Sequence, residues 1–130
     1  PRDMAMHAEI AALAGPSSAG RFHDLTADLK LRETGALLSR MDLCLGIDTG
    51  LLHVAASYGV PVVALFGPTD PARNGPYGGT IKTLRAPDAP TTYRRMNEIL
   101  PCMRALTPRM VFETLLPCLT TASPNPTPTR

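Results

Sequence analysis

Three consecutive segments decide the fold: DLCLGID (residues 42–48), TGLLHVAASY (49–58) and GVPVVALF (59–66). Asp42 to Asp48 reads as a buried strand, because apolar residues fill it without alternation. Gly50 to Tyr58 reads as a short helix with Gly59 just past its end. Pro61 to Phe66 is a second apolar, β-branched strand. Strand, helix, strand argues for a parallel βαβ unit with a right-handed crossover. Continuous apolar strands fit a parallel sheet covered on both faces. The predicted class is therefore α/β, a Rossmann-like parallel sheet with helices on both faces.

Upstream, Met4 to Ala14 reads as a helix, with Asp3 as cap and Gly15 and Pro16 beyond its end. Arg21 to Leu25 is predicted as a short strand and Leu31 to Met41 as a second helix. Downstream, Gly67 to Gly79 reads as a long Gly/Pro loop and Ile81 to Leu84 as a further strand; Pro87 to Leu100 gives no clear pattern. Thr107 and Pro108 start a last helix, as N-cap and first helical residue, running to about Leu116. Residues 120–130 are expected to be a disordered tail. No internal repeat is visible.

Composition narrows the class. The chain has 130 residues, enough for one domain. Pro and Gly number 14 and 10, below the roughly 25–30% that marks low complexity. The longest apolar run, Val60 to Phe66, falls well short of the ~20 residues a membrane-spanning helix needs. The chain reads as soluble, and its start shows no leader pattern. Net charge is +2 with no Trp, so neither nucleic acid nor a base-stacking platform is expected. Residues 71–110 hold 7 basic and 2 acidic side chains, a face for a phosphorylated ligand or a solvated surface. Three cysteines, 44, 102 and 118, without a CxxC pair, read as a reduced set, with Cys44 and Cys118 as buried thiols.

The chemistry gathers at the strand-to-helix junction. In an open parallel sheet, ligands bind at the carboxyl ends of the strands. Asp48 stands at such an end. Thr49 and Gly50 open the next helix, whose free N–H groups and dipole favour an anion. Gly50 lets a phosphate oxygen approach the backbone, Thr49 adds a hydroxyl, and His53 follows one turn later on the same side. The bland alternatives are helix capping by Asp48 and Thr49 and a buried, satisfied His53. The loop Gly67-Pro68-Thr69-Asp70 follows the next strand at the same sheet edge, and two adjacent loops of this kind make a cleft.

These residues carry a resemblance. The run from Gly46 to Ala56, then Gly59 to Pro71 and Gly75-Pro76-Tyr77-Gly78, resembles glycosyltransferase family 9, the ADP-heptose:lipopolysaccharide heptosyltransferases and their relatives. Leu25-Thr26, Leu31-Arg32-Glu33 and Leu37 to Arg40 are similar to the family's preceding loop and helix. Cys102-Met103, Thr107-Pro108 and Val111 are similar to its closing segment. The resemblance covers roughly residues 1–119.

The family implies a GT-B architecture, two Rossmann-like domains with a cleft between them; this chain resembles part of the C-terminal, nucleotide-sugar-binding one. The implied reaction is metal-independent, inverting transfer of heptose from ADP-heptose to the lipid A–core acceptor. No cofactor is implied beyond that donor, and the implied location is cytoplasmic, at most peripheral on the inner membrane. By resemblance, Asp48 contacts sugar hydroxyls, and Thr49, Gly50 and His53 hold the diphosphate. Asp3 binds the ribose, Leu29 lines the adenine pocket, and Gly67, Pro68, Thr69 and Asp70 shape the wall. The catalytic base is implied in an N-terminal domain that these residues do not include. The chain is therefore expected to be a fragment or truncated frame, inactive alone. Two other readings stand beside this one: a GT-B enzyme using a UDP- or GDP-sugar, and a non-catalytic nucleotide-binding or interaction module.

Overall fold

Val62–Phe66 (β2) is the centre of a three-stranded, all-parallel sheet. Cys44–Ile47 (β1) pairs on one side, from Cys44 opposite Val62 to Ile47 opposite Leu65. Ile81–Arg85 (β3) pairs on the other, from Ile81 opposite Val62 to Arg85 opposite Phe66. This structure, a computed structural model, describes residues 2–16, 20–25, 29–94 and 98–121. The helices are Arg2–Ala14 (α1), Leu31–Leu38 (α2), Gly50–Ser57 (α3), Pro71–Asn74 (α4), Pro101–Arg104 (α5) and Pro108–Thr121 (α6). The chain divides into two compact units, residues 1–34 and 35–130. The second holds the sheet, and the predicted Rossmann-like α/β class stands.

The central strand shows why its sequence is apolar throughout. Val62, Ala64 and Phe66 enter one cluster with Leu52, Ala55, Ala56 and Val60, while Val63 is fully buried outside that cluster. Leu38, Met41, Cys44 and Ile81 close its margin. Full burial contributes about 1.5–3 kcal/mol for each of Phe66, Leu52, Val62 and Val63. That layer outweighs any single cap, worth about 1 kcal/mol. The edge strand β1 behaves differently: Cys44 and Gly46 are partly buried, while Leu45 and Ile47 are 46% and 52% exposed. The expectation of a strand covered on both faces thus holds for β2 and fails for β1, which has a paired neighbour on one side only among the described residues.

The helix between these strands ends as its sequence dictates. Gly59 takes φ +77, open to glycine at no steric cost. Its N–H bonds Ala56 O at 2.9 Å, and the Val60 N–H bonds Ala55 O at 3.2 Å. Those two bonds are a Schellman motif, and they turn the chain directly into β2.

Several boundaries differ from expectation. Arg21–Leu25 forms no strand; the first unit offers no strand among its described residues with which to build a ladder. The second helix stops at Leu38 and tightens into i→i−3 bonds from Arg40 to Leu37 and from Met41 to Leu38. Its start is secured by Glu33, whose carboxylate accepts the Lys30 N–H at 2.7 Å. The predicted loop 67–79 contains α4, discussed below. Thr107 caps α6 as predicted, accepting the Met110 N–H at 3.3 Å. The helix then passes Leu116 and Pro117 to Thr121, with Thr120 Oγ1 bonding back to Pro117 O at 3.0 Å. Thr120 and Thr121, expected in the tail, instead end this helix; the rest of the expected tail, 122–130, lies outside the described residues, as does Thr26.

Candidate functional site

Because β1, β2 and β3 run parallel, the residues after Ile47, Phe66 and Arg85 emerge at one sheet edge. Asp48 to Gly50 follow β1, Gly67 to Asp70 follow β2, and Ala86 follows β3. The eight predicted residues of the second unit therefore meet at this edge. Asp3 and Leu29 belong to the first unit: Asp3 lies in the backbone of α1, its side chain outside the description, and Leu29 is half-buried just before α2.

The β1–α3 junction is open. Thr49 occupies the N-cap position with φ −140 and ψ 160, yet its side chain makes no cap hydrogen bond. The capping alternative thus fails for Thr49, and the first N–H groups of α3 have no side-chain acceptor from it. A Cβ placed on Gly50 would meet nothing within 4 Å, so the backbone there is approachable. His53 is 42% exposed, so the satisfied-core alternative fails too. Its Nε2 stands 4.0 Å from Asp48 Oδ1, and Asp48 is 24% exposed.

The second loop is built differently from expectation. The Asp70 carboxylate faces its own helix: Oδ1 accepts the Ala72 N–H at 2.9 Å, and Pro71 follows at the first helical position. Asp70 is thus the N-cap of α4. The short helix delivers Asn74, whose Nδ2 donates to Asp48 Oδ2 at a long 3.5 Å. Gly67 is buried because Met103 of α5 packs on it; a Cβ there would lie 2.8 Å from Met103 Cγ and 3.0 Å from Sδ. Its glycine serves this packing, and the buried Cys102 anchors the same turn.

A strap absent from the sequence reading holds this loop. The Arg85 guanidinium, at the end of β3, donates to Gly67 O at 3.1 Å, Ala89 O at 3.0 Å, Pro90 O at 3.2 Å and Thr91 Oγ1 at 3.1 Å. The Thr92 N–H then donates to Pro68 O at 2.9 Å. Arg73 lies 4.5 Å over the Tyr93 ring, a cation–π contact. Arg104 bonds Ile99 O and Arg109 pairs with Glu113. Four cations of the basic stretch are thus engaged inside the chain, leaving less of it for an anionic partner than its charge count suggests. Asn74 had a readable signal, since Asp70-Pro71 is a helix start. Arg85 had none, because its partners are carbonyls that no side-chain pattern reveals.

Burial pushes the Cys44 thiol up from its ordinary value, as expected of an inert core thiol. In the first unit, His7 Nδ1 stands 3.0 Å from Asp24 Oδ1. A cavity of about 270 Å³ lined by His7, Ile10, Phe22, His23, Asp24 and Leu25 lies there.

Comparison with known proteins bears on this edge. The family model for glycosyltransferase family 9 (heptosyltransferase) matches residues 2–104. Lipopolysaccharide heptosyltransferase 1 of Pseudomonas aeruginosa is 44% identical over 50 residues, 38% of this chain and 14% of that protein. Lipopolysaccharide heptosyltransferase 1 of Salmonella typhimurium is 36% identical over 65 residues, 50% of this chain and 20% of that protein. Lipopolysaccharide core heptosyltransferase OpsX of Haemophilus influenzae is 35% identical over 54 residues, 42% of this chain and 16% of that protein. The matched stretches thus span a fifth or less of these relatives. No solved structure matches the chain.

Proposed function

The chain belongs to glycosyltransferase family 9, the heptosyltransferase family, and we propose that it forms the donor-binding part of a GT-B enzyme that moves heptose from ADP-heptose to the lipopolysaccharide core. The observation that carries this reading is the open N-terminus of α3. Thr49 leaves its hydroxyl unused as a cap, Gly50 leaves the backbone approachable, and His53 presents a ring one turn on. A diphosphate seated there meets the helix dipole, unpaired N–H groups and two side-chain donors.

The chemistry follows from that seat. Transfer breaks the bond between the anomeric carbon and the departing ADP oxygen, and negative charge grows on the diphosphate. Donors already aimed at that charge lower the barrier without reorganising, so the transfer proceeds without a metal. Asp48, beside the diphosphate at the end of β1, accepts hydrogen bonds from sugar hydroxyls and fixes the ring for attack from the opposite face, which inverts the anomeric centre. Gly67 to Asp70 form the wall, Asp70 also capping α4. The ribose and adenine roles of Asp3 and Leu29 stand on the family pattern alone. The base that activates the acceptor is assigned to a domain outside these 130 residues, so the chain alone turns over no donor. Such an enzyme works at the cytoplasmic face; no helix among the described residues is long and apolar enough to cross a membrane.

Calorimetric titration of the chain with ADP and with UDP tests the reading. ADP binding that disappears in His53→Ala and Thr49→Val supports it. A preference for UDP transfers the reading to another donor class, and binding untouched by both substitutions removes the site from α3.

A further inference from the structure

Among the described residues, the Asp48 carboxylate has two polar neighbours: His53 at 4.0 Å from Oδ1 and Asn74 at 3.5 Å from Oδ2. They approach different oxygens from different elements, α3 and α4. Asn74 is held in place by its backbone. Its N–H bonds Asp70 O at 2.9 Å, the next N–H, of Gly75, bonds Pro71 O at 2.7 Å, and Asp70 caps the turn. A Cβ on Gly75 would collide with Pro71 O, so only glycine fits where the chain leaves α4. Pro76 beyond it is buried. A four-residue helix contributes little by itself; its organisation makes sense as a mount for the side chain at its end.

We propose that Asn74 is a positioning residue: its amide holds the Asp48 carboxylate in the orientation that meets the donor's sugar hydroxyls. The role rests on the reading of Asp48 given above and adds to it a residue from the neighbouring loop. A carboxylate free to rotate about χ2 spends part of its time with neither oxygen on the sugar. An amide donor on Oδ2 restricts that rotation and leaves Oδ1 for the ligand. The diphosphate, bound by α3, does not depend on this contact. Asn74 therefore acts on the sugar-dependent part of the affinity and leaves the nucleotide part alone.

The test compares ADP-heptose with ADP as calorimetric probes on the intact 130-residue chain and three variants. Wild type binds ADP-heptose more tightly than ADP. In Asn74→Ala that preference falls roughly three- to tenfold, the range of one ordinary hydrogen bond, in keeping with the long 3.5 Å contact. The ADP affinity stays within about twofold, which also shows that the variant is folded. Asn74→Asp keeps the shape but sets a second carboxylate against Asp48, so it loses more preference than Asn74→Ala; a merely structural role predicts the reverse order. His53→Ala loses both ligands. An Asn74→Ala variant that keeps the full preference for ADP-heptose overturns the positioning role and leaves the donor site intact. A wild type that binds ADP without preferring ADP-heptose overturns the sugar role of Asp48, and the positioning role with it.

Discussion

Replacing Arg85 by Ala probes the loop after β2, beside the candidate site. The guanidinium makes four hydrogen bonds, two of them part-buried, to Gly67 O and Ala89 O, and two exposed, to Pro90 O and Thr91 Oγ1. Water replaces the exposed pair at little cost. The part-buried pair is worth about 1 kcal/mol net each, so Arg85→Ala loses about 2 kcal/mol. For a domain of this size roughly 4 °C accompanies each kcal/mol, which places the drop in melting temperature near 8 °C. Thr92 supplies a local reporter, because its N–H is tied to Pro68 O at 2.9 Å, between the strap and the loop. Amide exchange at Thr92 speeds up about 30-fold, the equivalent of 2 kcal/mol. Arg85→Lys keeps the charge but replaces a planar fork by a point donor, which reaches one or two of the four acceptors. It recovers under half of the loss. The reasoning is refuted if Arg85→Ala stays within about 0.5 kcal/mol of wild type by urea denaturation, or if lysine restores Thr92 protection in full.

Three further outcomes follow from the same contacts. Gly67→Ala forces Met103 aside and costs about 1–3 kcal/mol; in Met103→Ala background the penalty shrinks, and a double-mutant cycle with coupling near zero would disprove the contact. Asp70→Ala removes the α4 cap and costs about 1 kcal/mol, with ADP-heptose affinity falling more than ADP affinity; equal losses in calorimetry would argue that α4 serves stability alone. Burial raises the Cys44 thiol pKa in the folded chain, so the native state holds that proton more tightly than the unfolded one. Stability is intact below the unfolded thiol value and declines as pH rises past roughly 8.5. Denaturation midpoints from pH 7 to 10 check this, since Cys44→Ala removes the decline, and an identical decline in that variant contradicts the assignment.

Legibility from sequence tracked the range of the forces involved. The β1–α3–β2 unit was readable because apolar runs, a terminal glycine and strand-to-helix order are local signals, and the core built on Phe66, Leu52 and Val62 follows from them. The family motif singled out Asp48, Thr49, Gly50 and His53, which the fold brings together at the β1–α3 junction. It did not reveal that Thr49 leaves its cap unmade, which depends on a rotamer. The helix at Asp70 was missed because its neighbours looked like loop; Asp-Pro, taken as a helix start, would have given α4. The exposure of Leu45 and Ile47 was hidden because an edge strand and a central strand share one apolar composition. Arg85 was invisible because backbone carbonyls 18, 4 and 5 residues away carry no sequence signature.

The most direct measurement is a residue-resolved NMR titration of the chain with ADP. The account predicts that the largest amide shifts fall on Gly50, Leu51 and His53 at the start of α3, followed by Gly67 and Thr69, and that they vanish in Thr49→Val with His53→Ala. Shifts that leave α3 untouched and gather instead on His7, Phe22 and Asp24 around the first unit's cavity would contradict it.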